Sequence, residues 1–176
     1  MEITNRLMIF FSTLLLCGGE YHKEEWPFII NKPFLSTSLT DLWSNRWHQL
    51  FREIWISLAY RPLRTFIRNK IIPLLGQKFK KIGELFDKVI PPLGVFVLSG
   101  LFHEYINWTV TYQYWIPGEQ LTFFVLQGIG VIMEKLVKQS IPSLRIPKWL
   151  GWIWTFVFIC LTIPYFLNVW IKANPW

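Results

Sequence analysis

The sequence has only two cysteines, Cys17 and Cys160, and each lies in an apolar run without the spacing of a metal site. Neither a disulfide framework nor a structural zinc site is expected, so both are interpreted as small apolar residues. Charged residues are also scarce: they form 16% of 176 residues, whereas 52% are hydrophobic and eleven are tryptophan. Such aromatic content is typical of membrane interfaces. The composition indicates a membrane protein, and we expect no nucleic-acid partner.

Long apolar runs predict helices that cross a membrane. Residues 89–108, 121–137 and 149–171 are each long enough to span the hydrocarbon core. A fourth run, residues 7–17, is short and is interpreted as the end of a span whose beginning is missing. A signal-peptide core and a re-entrant segment stay open as alternatives for it. We therefore expect an all-α, polytopic membrane protein with three to four transmembrane helices.

The net charge of +7 is unevenly distributed along the chain. Residues 41–88 contain ten Lys and Arg against four Asp and Glu, and residues 138–148 form a second basic loop. Residues 109–120 contain Glu119 as their one charged residue. Because loops rich in Lys and Arg remain cytosolic, the two basic regions are predicted in the cytosol and residues 109–120 on the opposite side.

Residues 43–59 predict an amphipathic helix. Ser38 and Asp41 fit a capping box that would start it. Large apolar residues then follow at spacings of three and four, with charged residues on the other side. We expect this helix to lie in the membrane plane on the cytosolic side. Alternatively, this is an ordinary membrane-surface helix in which Arg46 and Arg52 only hold lipid phosphates.

A histidine lies inside the first predicted span. Ser99, His103 and Asn107 recur every four residues and therefore share one helix face, and Glu104 adds a second ionisable group. Ionisable side chains at membrane depth are costly and indicate function by default, and such a face must point to protein or to a water-filled cavity. The alternative is that His103 only joins two helices through a hydrogen bond.

Three blocks of sequence resemble a known family. Residues 33–48 read PFLSTSLTDLWSNRWH, residues 99–104 read SGLFHE, and residues 123–134 read FFVLQGIGVIME. In this order and spacing they resemble wax-synthase-like members of the membrane-bound O-acyltransferase superfamily. The resemblance covers about residues 33–170 of the sequence.

The sequence also departs from the pattern of that family. Ser44 and Asn45 stand where the family usually has Gly and Arg. The chain is also about half the usual family length. We therefore expect residues 1–176 to form a single partial domain that lacks the N-terminal spans.

The resemblance implies transfer of an acyl group from fatty acyl-CoA to the hydroxyl of a lipid alcohol at the endoplasmic reticulum membrane. His103 matches the intramembrane base, and His48 or Asn45 would hold the thioester carbonyl. The substrate-binding candidates are Arg46, Trp47, Ser99, Glu104 and Asn107.

The same resemblance sets the expected partners. The acceptor would be a fatty alcohol, a sterol or another lipid alcohol, in contact with membrane lipids. No metal is expected, and no cofactor besides acyl-CoA as co-substrate. Homo-oligomerisation stays open.

A function of a different class also stays open. Four spans can hardly enclose two lipid substrates. The chain would then be a truncated, non-catalytic membrane protein that binds lipid or associates with a full-length relative.

Overall fold

The structure is a computed structural model that describes residues 30–47 and 49–173, without the side chain of Leu50. His48, Cys17 and the predicted run at residues 7–17 lie outside the described residues. The described part consists of helices and turns and contains no strand. The predicted all-α class is therefore confirmed.

Four short and three long α-helices follow one another along the described chain. They are α1 (Leu39–Asp41), α2 (Gln49–Trp55), α3 (Arg61–Phe66), α4 (Ile72–Leu75), α5 (Lys80–Val110), α6 (Glu119–Ser140) and α7 (Lys148–Ala173). Helices α5, α6 and α7 contain the three predicted spans, and each is long and apolar enough to cross a membrane. The prediction of a polytopic membrane protein is confirmed.

The three long helices pack antiparallel to their neighbours. Between α5 and α6, Gly100 lies against Leu121 and Gly128 lies against Phe96, because a residue without a Cβ allows two helices to approach closely. Between α6 and α7, the wholly buried Gln127 donates from Nε2 to the Thr162 hydroxyl at 2.7 Å. Apolar contacts and buried hydrogen bonds together fix the register of the bundle.

Residues 33–47, which we call the docking segment, lie against α6 and α7. The segment consists of a 3₁₀ helix (Pro33–Leu35), α1 and a π-helix (Leu42–Arg46). The Ser38 hydroxyl accepts a hydrogen bond from the Asp41 N–H at 2.9 Å, which confirms the predicted helix cap.

Close contacts fasten the docking segment to the two helices. Leu39 packs against Gly130 of α6, and the Thr37 carbonyl meets Gly151 of α7. These contacts hold the segment at the ends of α6 and α7 that the charge pattern places toward the cytosol.

The predicted amphipathic helix is present, but its bounds differ. Trp47 has an extended backbone (φ −105°, ψ 130°), so the helix is interrupted there and resumes at Gln49. It then continues to Leu75 through α2, α3 and α4, which are joined by π-helical turns at Ile56–Tyr60 and Ile67–Ile71. We call the run from α2 to α4 the basic arm.

The basic arm packs lengthwise and antiparallel against α5. Leu63 lies against Gly94, and the Trp55 and Phe102 rings are 5.5 Å apart. The sequence predicted a helix in the membrane plane, whereas these contacts follow the length of a predicted span. The difference arises because the apolar face of the arm binds another helix rather than lipid alone.

Ionic contacts join the opposite end of the arm to α5. Arg68 donates to both oxygens of Asp87 from Nε at 3.0 Å and from Nη2 at 2.8 Å, and Arg64 Nε lies 3.5 Å from the same carboxylate. The hydrogen bond to Asp87 raises the pKa of the Arg68 guanidinium. The arm is thus held by apolar packing near Phe102 and by charge near Asp87.

Two glycines give a matched test of the docking contact. Gly151→Ala would place a methyl group against the Thr37 backbone carbonyl, which cannot move alone, whereas Gly94→Ala would meet only the flexible tip of Leu63. We expect Gly151→Ala to lower stability by about 1–3 kcal/mol, as overpacking does. Gly94→Ala should change stability by less than about 1 kcal/mol. Thermal unfolding in detergent measures both, and equal midpoints would contradict the docking contact.

Candidate active site

The His103 imidazole lies half-buried on α5, where its Nδ1 is 2.8 Å from the Ser99 carbonyl oxygen. A carbonyl oxygen only accepts hydrogen bonds, so Nδ1 must carry a proton for this bond to form. In the neutral imidazole the lone pair is then on Nε2. The backbone of Ser99 therefore selects the tautomer in which Nε2 is basic.

Aromatic rings from three helices surround the imidazole. The Phe124 ring of α6 lies 4.4 Å from it, and the rings of Phe166 (α7) and Phe102 (α5) lie 5.8 Å and 5.9 Å away. These rings give the imidazole apolar surroundings and restrict the access of water to it. The histidine face points into the bundle, as the sequence predicted.

The docking segment reaches the same aromatic cluster. The Trp43 ring is 5.9 Å from the Phe124 ring, and the Trp47 ring is 6.4 Å from that of Trp43. Because Phe124 contacts both His103 and Trp43, one side chain joins the two sequence motifs. His48 follows Trp47 but lies outside the described residues.

Two other predicted site residues bind Asp41. Asn45 Nδ2 donates to Oδ1 at 3.1 Å and Arg46 Nε donates to Oδ2 at 2.7 Å, while Arg46 Nη1 donates to the Lys32 carbonyl at 3.2 Å. Burial alone would raise the pKa of the Asp41 carboxyl, but the hydrogen bonds from Arg46 and Asn45 outweigh it and lower that pKa. Asp41 therefore stays ionised at neutral pH and holds Asn45 and Arg46 in place.

Glu104 bonds to groups other than the imidazole. Its oxygens accept from Trp115 Nε1 at 2.7 Å and from the Leu121 N–H at 3.0 Å. Leu121 belongs to the first turn of α6, where free N–H groups favour a carboxylate. Glu104 thus fastens the histidine-bearing helix to the start of the next helix.

The last two predicted site residues, Ser99 and Asn107, are both buried. Ser99 supplies the carbonyl that binds His103. The Asn107 carbonyl accepts from the Thr111 N–H and hydroxyl at 2.8 Å each. Its side-chain Nδ2 is buried and has no hydrogen-bond partner within the described part of the chain.

Glu134 was missed as a residue that organises the site. Its oxygens accept from the Leu39 N–H at 2.7 Å, from the Thr40 N–H and hydroxyl at 2.9 Å each, and from Trp154 Nε1 at 3.0 Å. The carboxylate thus binds the docking segment. A carboxylate that ends an apolar helical run was the available signal.

Gln127 is the second such omission. It accepts from Trp43 Nε1 at 3.3 Å and donates to Thr162, so it connects the docking segment to α7. A signal was present in the sequence, because Gln120, Gln127 and Glu134 recur every seven residues and therefore share one face of an otherwise apolar helix.

Two concave surfaces lie elsewhere, on the basic arm. Arg61, Thr65 and Asn69 line both of them. Neither is lined by His103 or by the docking segment. Of the predicted site residues, His103 and Trp47 have rings in or beside the aromatic cluster, and no predicted site residue in the described part of the chain lines the two concave surfaces.

Comparison with known proteins decides the family. Residues 26–126, more than half of the chain, match the model of the family described as "Membrane bound O-acyl transferase family". The chain belongs to this family. The match includes the docking segment, the basic arm, α5 with His103 and the beginning of α6, so the resemblance inferred from the motifs is confirmed.

Several known acyltransferases are similar to this member of the family. Acyl-CoA–sterol O-acyltransferase 1 of Arabidopsis thaliana is 28% identical over 133 residues, 75% of this chain and 35% of that protein. Probable long-chain-alcohol O-fatty-acyltransferase 8 of the same plant is 32% identical over 141 residues, 80% of this chain and 35% of that protein. The long-chain-alcohol O-fatty-acyltransferase of Simmondsia chinensis is 29% identical over 114 residues, 64% of this chain and 29% of that protein.

The similarity covers only part of each of these relatives. The chain spans about a third of the length of the curated relatives it matches. No solved structure matches.

Replacing Glu134 tests its hold on the docking segment. Glu134→Gln keeps the shape of the side chain but removes its charge. It also places an amide NH₂ group, which is a donor, against backbone N–H groups that are donors themselves. Because charge-assisted hydrogen bonds contribute more than neutral ones, we expect a loss of about 3 kcal/mol. Lys138→Gln, at an exposed position nearer the end of α6, is the control and should leave stability nearly unchanged. Thermal unfolding measures both, and similar midpoints for the two variants would refute this role.

Proposed function

We propose that this chain carries the catalytic region of an acyl-CoA-dependent O-acyltransferase of the endoplasmic reticulum membrane. It would transfer a fatty acyl group to the hydroxyl of a lipid alcohol, with His103 as general base. The observation that carries this proposal is the Phe124 ring, which contacts both the His103 imidazole and Trp43 of the docking segment.

The chemistry requires a base, because an alcohol is a poor nucleophile at neutral pH. The hydroxyl oxygen attacks the thioester carbonyl carbon while Nε2 of His103 takes its proton. The tetrahedral intermediate then collapses: the C–S bond breaks, CoA leaves as a thiol with a proton returned from the imidazolium, and the ester remains. The bond between Nδ1 and the Ser99 carbonyl supports this assignment, because it leaves the lone pair on Nε2.

The negative charge on the carbonyl oxygen needs hydrogen-bond donors. Asn45 or His48 is the proposed donor, since both belong to the motif whose Trp43 and Trp47 reach the aromatic cluster. One such donor contributes about 3 kcal/mol to transition-state stabilisation in a dry site, and Asn45, which is exposed, would reach that value only where bound substrate covers it. The amide of Asn45 has two hydrogens, so it can hold Asp41 and a second acceptor.

The two substrates differ in polarity and are proposed to arrive by different routes. CoA is charged and cytosolic, and Arg46 is the proposed contact for its phosphates, since a guanidinium binds phosphate through paired hydrogen bonds. The acyl chain and the alcohol dissolve in the bilayer and match the aromatic walls around His103. The names of the relatives include a sterol and a long-chain alcohol, and both classes are candidate acceptors.

Direct transfer without an acyl-enzyme is the simpler mechanism. Cys160 is exposed on α7, and a thiol nucleophile needs an adjacent base to be activated. The hydroxyl and the thioester would therefore meet in a ternary complex beside His103.

The decisive assay supplies labelled fatty acyl-CoA and a long-chain alcohol or sterol to membranes that contain the chain. His103→Ala should lower ester formation by about 10²–10⁴-fold, the usual contribution of a general base. Cys160→Ala is the control and should retain full activity. Equal activity of the wild type and His103→Ala would exclude the proposed base, and loss of activity in Cys160→Ala would argue for an acyl-enzyme. A folded wild-type chain that forms no ester would contradict the proposed function.

A further inference from the structure

Gln120 is a buried amide that is only half satisfied. It is 1% exposed, and its Nε2 donates to the Tyr165 and Phe166 carbonyls of α7 at 3.2 Å and 3.0 Å. These two acceptors fix the orientation of the amide, because the reverse orientation would place oxygen against oxygen. Oε1 is buried and has no hydrogen-bond partner among residues 30–47 and 49–173.

Asn107 presents the complementary group. Asn107 is 2% exposed, and its Nδ2 has no hydrogen-bond partner within the same ranges. A buried polar group left without a partner costs about 1–3 kcal/mol, so each one in a native structure requires an explanation. In its orientation here Asn107 offers a donor, and Gln120 offers an acceptor.

The helix register brings the two amides near the imidazole. Asn107 follows His103 by one turn on α5, and Gln120 precedes Phe124 by one turn on α6. Because the helices are antiparallel, both residues lie one turn from the contact between the His103 and Phe124 rings, toward the same end. The hydrogen bond from the Leu121 N–H to Glu104 joins the helices at this level.

The two free groups select one kind of ligand. A hydroxyl both donates and accepts, so it can satisfy Gln120 Oε1 and Asn107 Nδ2 together. An anion would face Gln120 Oε1, which is itself only an acceptor. A cation would face the Asn107 donor. A neutral hydroxyl group is therefore the best match.

We propose that Asn107 and Gln120 form a subsite for the hydroxyl of the acceptor alcohol beside His103. This subsite rests on the proposed function. Asn107 was among the site residues predicted from the sequence, whereas Gln120 was not. Asn107 Nδ2 donates to the hydroxyl oxygen, and the hydroxyl donates to Gln120 Oε1 while the acceptor is at rest. Rotation about the C–O bond turns the same proton toward the imidazole while Asn107 still holds the oxygen.

Binding without acyl-CoA tests the subsite separately from turnover. The chain is placed in phosphatidylcholine nanodiscs, and its affinities for a long-chain alcohol and for the methyl ether of that alcohol are compared, with empty nanodiscs as the blank. The ether can accept but cannot donate a hydrogen bond. We expect the wild type to bind the alcohol about tenfold more tightly, the effect of one buried hydrogen bond.

The variants should separate the two contacts. Gln120→Met removes the acceptor and should abolish the preference for the alcohol over the ether. Asn107→Leu removes the donor and should weaken binding of both ligands about tenfold while keeping the preference. Thr109→Val is the control, because Thr109 is exposed on the same helix as Asn107 and its hydroxyl bonds to the Tyr105 and Ile106 carbonyls, and it should change neither value.

The outcomes distinguish this inference from the proposed function. Equal binding of alcohol and ether by the wild type would overturn the subsite. So would unchanged affinities in Asn107→Leu, which would instead assign the two free groups to a buried water. Asn107→Leu leaves the Gln120 bonds intact and is expected to fold, and its unfolding midpoint verifies this. A normal hydroxyl preference in a chain that forms no ester would keep the subsite and reject the acyl transfer.

Discussion

The candidate site depends on the carboxylate of Glu134, which accepts hydrogen bonds from backbone N–H groups of the docking segment. The docking segment is broken into short helical pieces, so several of its N–H groups cannot bond within it, and water is scarce beside apolar helices. Glu134 supplies acceptors for two of these N–H groups from a different helix. Gln127 and the Trp43 ring extend the same attachment deeper into the bundle. Through these contacts a motif some sixty residues before His103 in sequence comes to pack against Phe124, the same ring that contacts His103.

The surroundings of His103 combine rigidity with a defined proton position. The Ser99 carbonyl sets the tautomer, and rings from three helices restrict the imidazole. Glu104 fixes the neighbouring helix by accepting from its first turn rather than by contacting the imidazole. Two adjacent ionisable residues in one apolar span thus have separate tasks. The His103 imidazole faces the aromatic cluster, whereas Glu104 joins α5 to the start of α6.

Local patterns predicted the long helices and the cap at Ser38. Apolar runs of sufficient length define α5, α6 and α7, and the spacing of Ser99, His103 and Asn107 correctly placed them on an inward face. The interruption at Trp47 was not predictable, because the apolar spacing of residues 43–59 continues through it without a Gly or Pro. The bonds of Glu134 join residues more than ninety positions apart, and no periodicity within a single helix reveals such a contact.

The lengthwise packing of the basic arm has a consequence for topology. The docking segment starts at one end of the bundle, beside Gly151, and the arm returns to that same end, beside Gly83. An excursion that comes back to its starting side adds no crossing. If α5, α6 and α7 are the crossings in the described chain, their odd number would place residue 33 and Ala173 on opposite faces of the bilayer.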